Sequence, residues 1–390
     1  MQTAGRRAQS SQQTVAKGRV AEIVVLTRRV YEDFLHRGPP ATQPNITSVT
    51  QTKRAADSAP PLTVHEVSRP PAPFLRFVDQ IVEDGASDID FRFSQSVLTR
   101  FDIDVVHVVD SELDHLLGAP ESAPLQRLIA ASALARNLRR HRIALVRTLL
   151  EEMPREKTLL ERRARQILDD ATTHFIVHDS TAASPAPERT SVIPHAHFRD
   201  RFLGFPRRAL TPGLILAPAV GELSEDADRL LAVPRVAQTR GLNVRLVGLA
   251  GPERQAAAAS TLARHPYQGS ARWERISDGG LVAEITSAEL IVLPHVASPR
   301  HMQMMFVALS LDRPVLTPST PAVARIAAEA GPGWVHHTEG SITADDIDRT
   351  LERSRNLARA PQPILRGREI RATREAYLRT FRRAADAKSR

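Results

Sequence analysis

One segment, residues 288–318, constrains the fold of this chain more than any other. Residues 290–293 form a short apolar run that Pro294 ends, which predicts a buried strand. Residues 301–311 lack glycine and proline and are apolar nearly all round, which predicts a helix that packs on both sides. Pro314 stands near the start of another apolar run, where a strand needs no ladder donor. The segment therefore predicts a strand, a loop, a helix and a second strand.

The helix of this segment begins at the loop after a strand that we expect to be parallel to its neighbours. Backbone N–H groups without partners collect at such a helix start, which is where α/β folds bind anionic ligands. Arg300 and His301 stand at this start, so contact with a diphosphate is one interpretation. A solvated loop is the other.

Strands alternate with helices along most of the chain, which predicts parallel sheets. Five prolines stand between residues 36 and 61, at positions 39, 40, 44, 60 and 61. We therefore interpret residues 36–61 as a loop. Further predicted strands lie at 20–26, 62–67, 89–93, 104–109, 143–149, 174–178, 214–217, 244–248, 272–276 and 333–336, and predicted helices at 74–83, 125–138, 157–168, 226–240, 253–264, 281–286, 322–330, 343–358 and 367–388.

A length of 390 residues suggests two domains. We expect a first domain at 62–207 and a second at 208–364, joined near a proline-containing linker at 205–212. Residues 1–61 stay unassigned, because their first part is polar and basic and the rest is rich in proline. Residues 365–390 are expected to form a basic helix, with a loose basic tail as the alternative.

The composition of the chain excludes several kinds of site and of membrane segment. The chain has no cysteine, which excludes disulfides, thiolate metal sites and cysteine catalysis and fits a cytoplasmic protein. No stretch is long and apolar enough to cross a bilayer, and residues 1–17 lack the apolar centre of a signal peptide.

The net charge of +9 leaves three interpretations open. It can be an ordinary solvated surface, or it can favour sugar-nucleotide phosphates or an anionic membrane face. Nucleic-acid binding is the weakest of the three. Aromatic residues make up only 4% of the chain, and no basic stretch is interleaved with side chains that could stack on bases. We therefore expect no nucleic-acid partner.

Two parts of the chain resemble a known family. Residues 288–295 (AELIVLPH) and 308–318 (ALSLDRPVLTP) resemble the donor-site segment of GT-B glycosyltransferases of the glycogen-synthase-like group, family 4. Residues 101–108 (FDIDVVHV) and 174–178 (HFIVH), with 192–195 (VIPH), resemble the acceptor domain of the bacterial polysaccharide enzymes of this group.

The resemblance implies an α/β fold of the GT-B type, with two Rossmann-like domains whose parallel sheets face a cleft. It implies transfer of a sugar from a nucleotide-sugar donor to a glycan or lipid-linked acceptor, with no cofactor and no metal. It also implies that the C-terminal helix returns to the first domain. The expected location is cytoplasmic, with peripheral contact with an anionic membrane.

Five residues are candidates on the donor side. Arg300 and His301 are expected near the diphosphate, and His295 takes the place of the family's tyrosine or serine after Leu-Pro. Gly248 follows a predicted strand and resembles a phosphate-binding turn, although an ordinary strand-to-helix turn explains it as well. Arg275, in the predicted strand 272–276, is a candidate for contact with the base.

Four residues are candidates on the acceptor side. Asp110 and Glu112 follow the predicted strand 104–109, where they are either cleft carboxylates or part of a solvated loop. His178 and His195 end predicted strands at the expected cleft, with a surface loop as the alternative for His195. No residue could be assigned as catalytic.

The chain departs from the family's pattern at several site positions. Residues 217–224 contain no arginine or lysine, although the family carries a basic residue there. Val307 stands in the place of the glutamate that holds the ribose, and Leu150 in the place of a histidine. A catalytically inactive GT-B scaffold or partner protein is therefore the alternative function.

Overall fold

The computed structural model describes residues 62–67, 89–94, 102–117, 123–149, 158–219, 226–264, 269–294 and 299–389. All of them belong to one compact unit, Ala59–Arg390. The unassigned region 1–61, with the predicted strand at 20–26, and the predicted helix at 74–83 lie outside the described residues.

Six parallel strands form the sheet of the first lobe, in the order β2-β1-β3-β4-β5-β6. Its strands are β1 (Leu62–Val67), β2 (Ile89–Ser94), β3 (Val105–Val109), β4 (Ala144–Thr148), β5 (His174–Val177) and β6 (Thr190–Val192), and its helices are α1 (Leu113–Leu116), α2 (Pro124–Arg140) and α3 (Leu159–Ala171).

Local sequence signals explain where the helices of this lobe begin. Proline at the first position of α2 has a φ angle suited to a helix and needs no hydrogen bond there. Thr158 and Glu161 form a reciprocal capping box before α3, in which each side chain accepts a hydrogen bond from the other residue's backbone N–H.

A second sheet of six parallel strands forms the second lobe, in the order β12-β11-β10-β7-β8-β9. Its strands are β7 (Leu214–Ala219), β8 (Asn243–Gly248), β9 (Gly269–Trp273), β10 (Leu290–Val292), β11 (Val315–Pro318) and β12 (Val335–Thr338), and its helices are α4 (Asp226–Val236), α5 (Pro252–Arg264), α6 (Asp278–Ser287), α7 (Pro299–Ser310), α8 (Pro321–Ala330) and α9 (Ala344–Asn356).

The α/β class with two parallel sheets is confirmed, whereas two element bounds need correction. The predicted strand 272–276 is wrong in position, because β9 is Gly269–Trp273 and Arg275 follows it. The predicted helix 226–240 ends at Val236, two residues after the internal Pro234. The ring of Pro234 removes a backbone donor near the end of the helix. The domain boundaries at 207 and 364 stay predictions.

Helix α7 lies at the centre of the second lobe. Each residue from 301 to 310 is buried, and Met305, Phe306 and Val307 belong to one large apolar cluster with residues of β7, β10 and β11. Packing on all sides explains why this helix has no polar face. The helix predicted at 301–311 is therefore present, and it begins two residues earlier.

The last helix, α10 (Ile370–Ser389), packs on the sheet of the first lobe. Tyr377, Phe381 and Ala384 are buried in one apolar cluster with Val64 of β1 and Val105 of β3. Since these buried residues recur at spacings of three and four, they form a single stripe along the helix, and the opposite side of the helix faces solvent.

Candidate functional site

His178 and His195 lie together where the first lobe meets the second. His178 follows β5 and His195 follows β6, so both stand at the carboxyl edge of a parallel sheet, where α/β folds place ligands. Their rings stack with centroids 3.7 Å apart, and the His195 ring lies 5.9 Å from that of Phe306 in α7. The two sequence candidates therefore meet each other and the central helix of the second lobe.

Burial lowers the pKa of both histidines of this pair and so favours their neutral form. Burial is the main cause that lowers the pKa of His178 to about 4, and the nearby His107 and Arg368 lower it further. Burial, followed by His178 and Arg368, lowers the pKa of His195 well below its ordinary value. Nδ1 of His178 donates a hydrogen bond to the carbonyl oxygen of Ile193 at 2.9 Å, which fixes the proton of the neutral ring on Nδ1.

Arg368 connects the segment before α10 to both lobes. Its guanidinium donates to the carbonyl oxygen of His195 at 3.2 Å and to the carboxylate of Glu329 in α8 at 2.7 Å. The same group lies over the ring of Phe306, 4.6 Å from its centroid. Arg368 is buried, so the ion pair and the ring together compensate the charge.

Arg325 of α8 makes a second polar link between the lobes. Its guanidinium lies 3.2 Å from a carboxylate oxygen of Asp179 and donates to the hydroxyl of Ser180 at 2.6 Å. Asp179 also accepts from the backbone N–H of Thr181 at 2.7 Å. Since Asp179 and Ser180 directly follow His178, this ion pair and the histidine stack fix the same loop.

The structure describes the donor-side candidates only in part. His295 lies outside the described residues, and so does the side chain of Arg300, although Arg300 itself is the second residue of α7. His301 is buried in the first turn of that helix. Contacts of these three residues with a diphosphate stay predictions.

Gly248 and Arg275 lie at the carboxyl ends of neighbouring strands of the second sheet. Gly248 ends β8 with a φ of 141°, a backbone conformation that favours glycine. Arg275 is exposed and follows β9 instead of lying within it. Both therefore stand on the edge where a nucleotide is expected, and their contact with one stays a prediction.

Asp110 is engaged inside the first lobe. Nε of Arg147 donates to its carboxylate at 2.9 Å and Nη2 of Arg165 at 2.7 Å, and the side chains of Asp110 and Arg147 are almost completely buried. A carboxylate held by two guanidinium groups is suited to stabilising the lobe, and this geometry does not favour an acceptor role. Glu112 is buried as well, which excludes the solvated loop for its side chain.

A buried polar chain under α10 was not singled out from the sequence as a site. Nδ1 of His107 lies 2.7 Å from the carboxylate of Glu66, and Nε2 lies 2.8 Å from the hydroxyl of Thr148. The ring of Tyr377 packs against His107 with centroids 5.8 Å apart. His107 is thus a satisfied core histidine that joins three strands to the last helix.

Arg325, Arg368 and Asp179 were also missed by the sequence reasoning. Each is an ordinary charged residue in its own segment, and no short motif includes two of them. Only the fold brings them together at the contact between the lobes.

Val307 cannot replace the glutamate whose position it takes. Its side chain is 1% exposed inside the apolar cluster around α7, so it has no access to a ribose. Among the residues that the structure describes, no group of three or more histidine and acidic side chains is arranged to hold a metal ion. No helix in that part of the chain has the length and hydropathy needed to span a bilayer.

Comparison with curated proteins finds a relative that the chain matches over most of both sequences. The chain is 28% identical over 339 residues to a GDP-mannose:glycolipid 4-beta-D-mannosyltransferase of Xanthomonas campestris pv. campestris, which covers 86% of this chain and 95% of the relative. No family model matches the chain.

Comparison with solved structures finds the same two-lobed fold. A structure of Anabaena Alr3699/HepE in complex with UDP matches with a TM-score of 0.52 and 11% identity, covering 84% of this chain and 99% of that one. A UDP-N-acetylglucosamine 2-epimerase from Rickettsia bellii matches with a TM-score of 0.54 and 11% identity, covering 84% and 97%. The predicted GT-B fold and the predicted resemblance to glycosyltransferases are confirmed.

Proposed function

We propose that this glycosyltransferase transfers mannose from GDP-mannose to a glycolipid acceptor. One observation carries the proposal, namely the likeness to a GDP-mannose:glycolipid mannosyltransferase over 86% of this chain and 95% of that relative. An alignment of this extent includes both lobes, so it covers the donor side and the acceptor side of the fold together.

The start of α7 is the proposed place of the donor diphosphate. This helix is the next described element after β10, at the carboxyl edge of the second sheet. Its first N–H groups and the positive end of its dipole favour a group that gains negative charge as it leaves. Arg300 and His301 belong to this first turn, and we propose that they contact the diphosphate together with His295.

The acceptor hydroxyl is proposed to enter from the first lobe, near His178 and His195. Catalysis then consists of holding the hydroxyl against the anomeric carbon of the donor while the helix stabilises the departing nucleotide. Arg325 and Arg368 support this geometry because they join the lobes at the same place. We place the protein in the cytoplasm in peripheral contact with an anionic membrane, since its proposed acceptor is a lipid.

The test combines donor binding with turnover. Calorimetry with GDP-mannose, UDP-glucose and ADP-glucose is expected to show binding of GDP-mannose alone, and GDP release is expected only when a glycolipid acceptor is added. The variant Arg300→Gln is expected to weaken donor binding, whereas Arg349→Gln, on the exposed side of α9, is the matched control. Binding of none of the three sugar nucleotides would contradict the proposal.

A catalytically inactive scaffold is the second candidate. The burial of Val307 favours it, because the side chain at the position of the ribose-binding glutamate cannot reach a nucleotide. In that case GDP-mannose is expected neither to bind nor to turn over, while the protein remains folded. Measurable GDP release that depends on the acceptor would exclude the scaffold.

A further inference from the structure

The solvent-facing side of α10 is strongly basic. This helix carries six arginine and lysine residues against one glutamate and one aspartate. Arg379, Arg382 and Arg383 are exposed, while the stripe that contains Tyr377 and Phe381 is buried against the sheet. The positive charge is therefore concentrated on the side of the helix that does not pack against the sheet.

Two adjoining cavities lie along this basic side. The smaller, of about 200 Å³, runs between α10 and the edge strand β6, and its lining includes Ser191, Val192 and Thr380. The larger, of about 640 Å³, lies further along the helix and includes Arg382 and Asp386. Arg379 and Arg383 line both cavities. We call the surface made by these two cavities the basic groove.

The carboxylates that the structure describes neutralise Arg379 and Arg383 only weakly. Glu375 lies 3.8 Å from Arg379, and both side chains are largely exposed, so this pair contributes little in water. Among the described residues, no carboxylate forms an ion pair with Arg383. Asp386 is the one acidic residue among the described lining residues of the two cavities. The described lining residues therefore include three arginines against one aspartate, a positive balance.

The arginines of the basic groove lie on a different part of the first lobe from the contact between the lobes. Thr373, early in α10, donates to the carbonyl oxygen of Pro194 after β6, and Arg383 lies near His174, the first residue of β5. The helix thus runs from the carboxyl edge of the sheet towards the amino edge. The arginines therefore stand towards the amino edge of the first sheet, whereas His178 and His195 lie at its carboxyl edge. The smaller cavity extends towards that edge, because its lining also includes Ile193, whose carbonyl oxygen accepts from His178.

We propose that the basic groove is the surface by which this protein docks on anionic phospholipid headgroups of a bilayer. The arginines supply charge that complements phosphates, Ser191 and Thr380 supply hydroxyl groups, and the half-exposed Val192 adds apolar surface beside them. The described residues that line the groove include no aromatic side chain on which a nucleic-acid base could stack. This inference rests on the proposed function, since a glycolipid acceptor lies in a membrane.

Vesicle sedimentation tests the proposal with the full chain and without substrates. The protein is expected to bind phosphatidylglycerol vesicles at low salt and not to bind phosphatidylcholine vesicles. The double variant Arg379→Gln/Arg383→Gln is expected to bind roughly thirtyfold more weakly, because each arginine near an anionic surface contributes about 1 kcal/mol. An unchanged thermal unfolding midpoint shows that this variant is folded.

The control variant Arg139→Gln/Arg140→Gln removes the same charge from the exposed end of α2 and is expected to retain most of the binding. An equal loss in both variants would show a general charge effect and overturn the proposal. Displacement by inorganic phosphate at constant ionic strength would assign the groove to a small anion and overturn it too, as would a wild-type protein that does not sediment with the anionic vesicles.

Calorimetry with GDP-mannose separates this proposal from the proposed function. Vesicle binding without any donor binding would leave the docking surface standing and remove the mannosyltransferase. Donor binding and turnover without vesicle binding would support the mannosyltransferase and overturn the docking surface.

Discussion

His178 and His195 stack with their ring centroids 3.7 Å apart at the place where the two lobes meet. Neither ring is within a strand: His178 directly follows β5, and His195 stands three residues after the end of β6. The stack depends on neutral rings, because two imidazolium groups at this distance would repel each other in a buried environment. We therefore expect protonation of these rings to weaken the contact between the lobes.

We expect the free energy of unfolding to fall as the pH is lowered from about 6.5 to 4. The folded pKa of His178 is about 4 and that of His195 is also lowered, so the unfolded chain binds more protons in this window. Well above pH 6.5 both rings are neutral in the folded and in the unfolded state, and their contribution no longer changes with pH. Each histidine changes the free energy of unfolding by at most about 1.4 kcal/mol per pH unit.

Urea unfolding at several pH values between 7.5 and 4.5 measures this slope. In the variant His178→Phe the free energy of unfolding is expected to depend less steeply on pH. His337→Phe, on the partly exposed strand β12, is a matched control outside the stack. A slope that is the same in the wild type and in His178→Phe would refute the assignment.

The ion pair between Arg325 and Asp179 is expected to contribute modestly to stability. The side chain of Arg325 is 34% exposed, and partly exposed pairs are worth about 0.2–1 kcal/mol. A double-mutant cycle with Arg325→Gln and Asp179→Asn, followed by urea unfolding, is expected to give a coupling energy in this range. A coupling energy of zero would mean that the pair does not fasten the lobes.

Sequence reasoning was most successful where a pattern is local. The strand at 62–67 agrees with β1, and the apolar run at 301–311 identified α7 within two residues, because a helix buried on all sides must be apolar on all sides. Strand β9 was placed three residues too late. Its burial alternates between partly buried and exposed residues, so it lacks the continuous apolar run that marked the central strands.

The site was less accessible to sequence reasoning than the fold. His178 and His195 could be selected because each ends a predicted strand, but their stacking depends on how two loops leave the sheet. Arg325 and Asp179 belong to different lobes, and nothing in either segment indicates its partner. Asp110 had the residue type and position of a cleft carboxylate, and only the structure shows that Arg147 and Arg165 hold it.

Restoring a glutamate at position 307 is expected to disrupt the second lobe. Val307 is 1% exposed, and a carboxylate there would be buried without a partner, which costs several kcal/mol. Chemical unfolding is expected to show a loss of more than roughly 3 kcal/mol for Val307→Glu. The smaller Val307→Ala is expected to lose roughly 1–3 kcal/mol through its cavity alone. Equal stability of Val307→Glu and the wild type would contradict the buried position.

The hydroxyl of Thr148 is expected to stabilise the buried chain under α10. It lies 2.8 Å from Nε2 of His107, whose Nδ1 lies 2.7 Å from the carboxylate of Glu66. Thr148→Val keeps the shape but removes one partner of a buried polar group, which costs about 1–3 kcal/mol. Thr148→Ser retains the hydroxyl and is the matched control.

Urea unfolding of both variants measures this difference, and hydrogen exchange at Tyr377 and Phe381 reports whether α10 loosens with it. We expect Thr148→Val to raise the exchange rate in α10 more than Thr148→Ser does, because the ring of His107 packs directly against Tyr377. If the two variants are equally stable, the hydroxyl does not hold His107. The chain from Glu66 to Thr148 would then have no part in fixing the last helix on the first lobe.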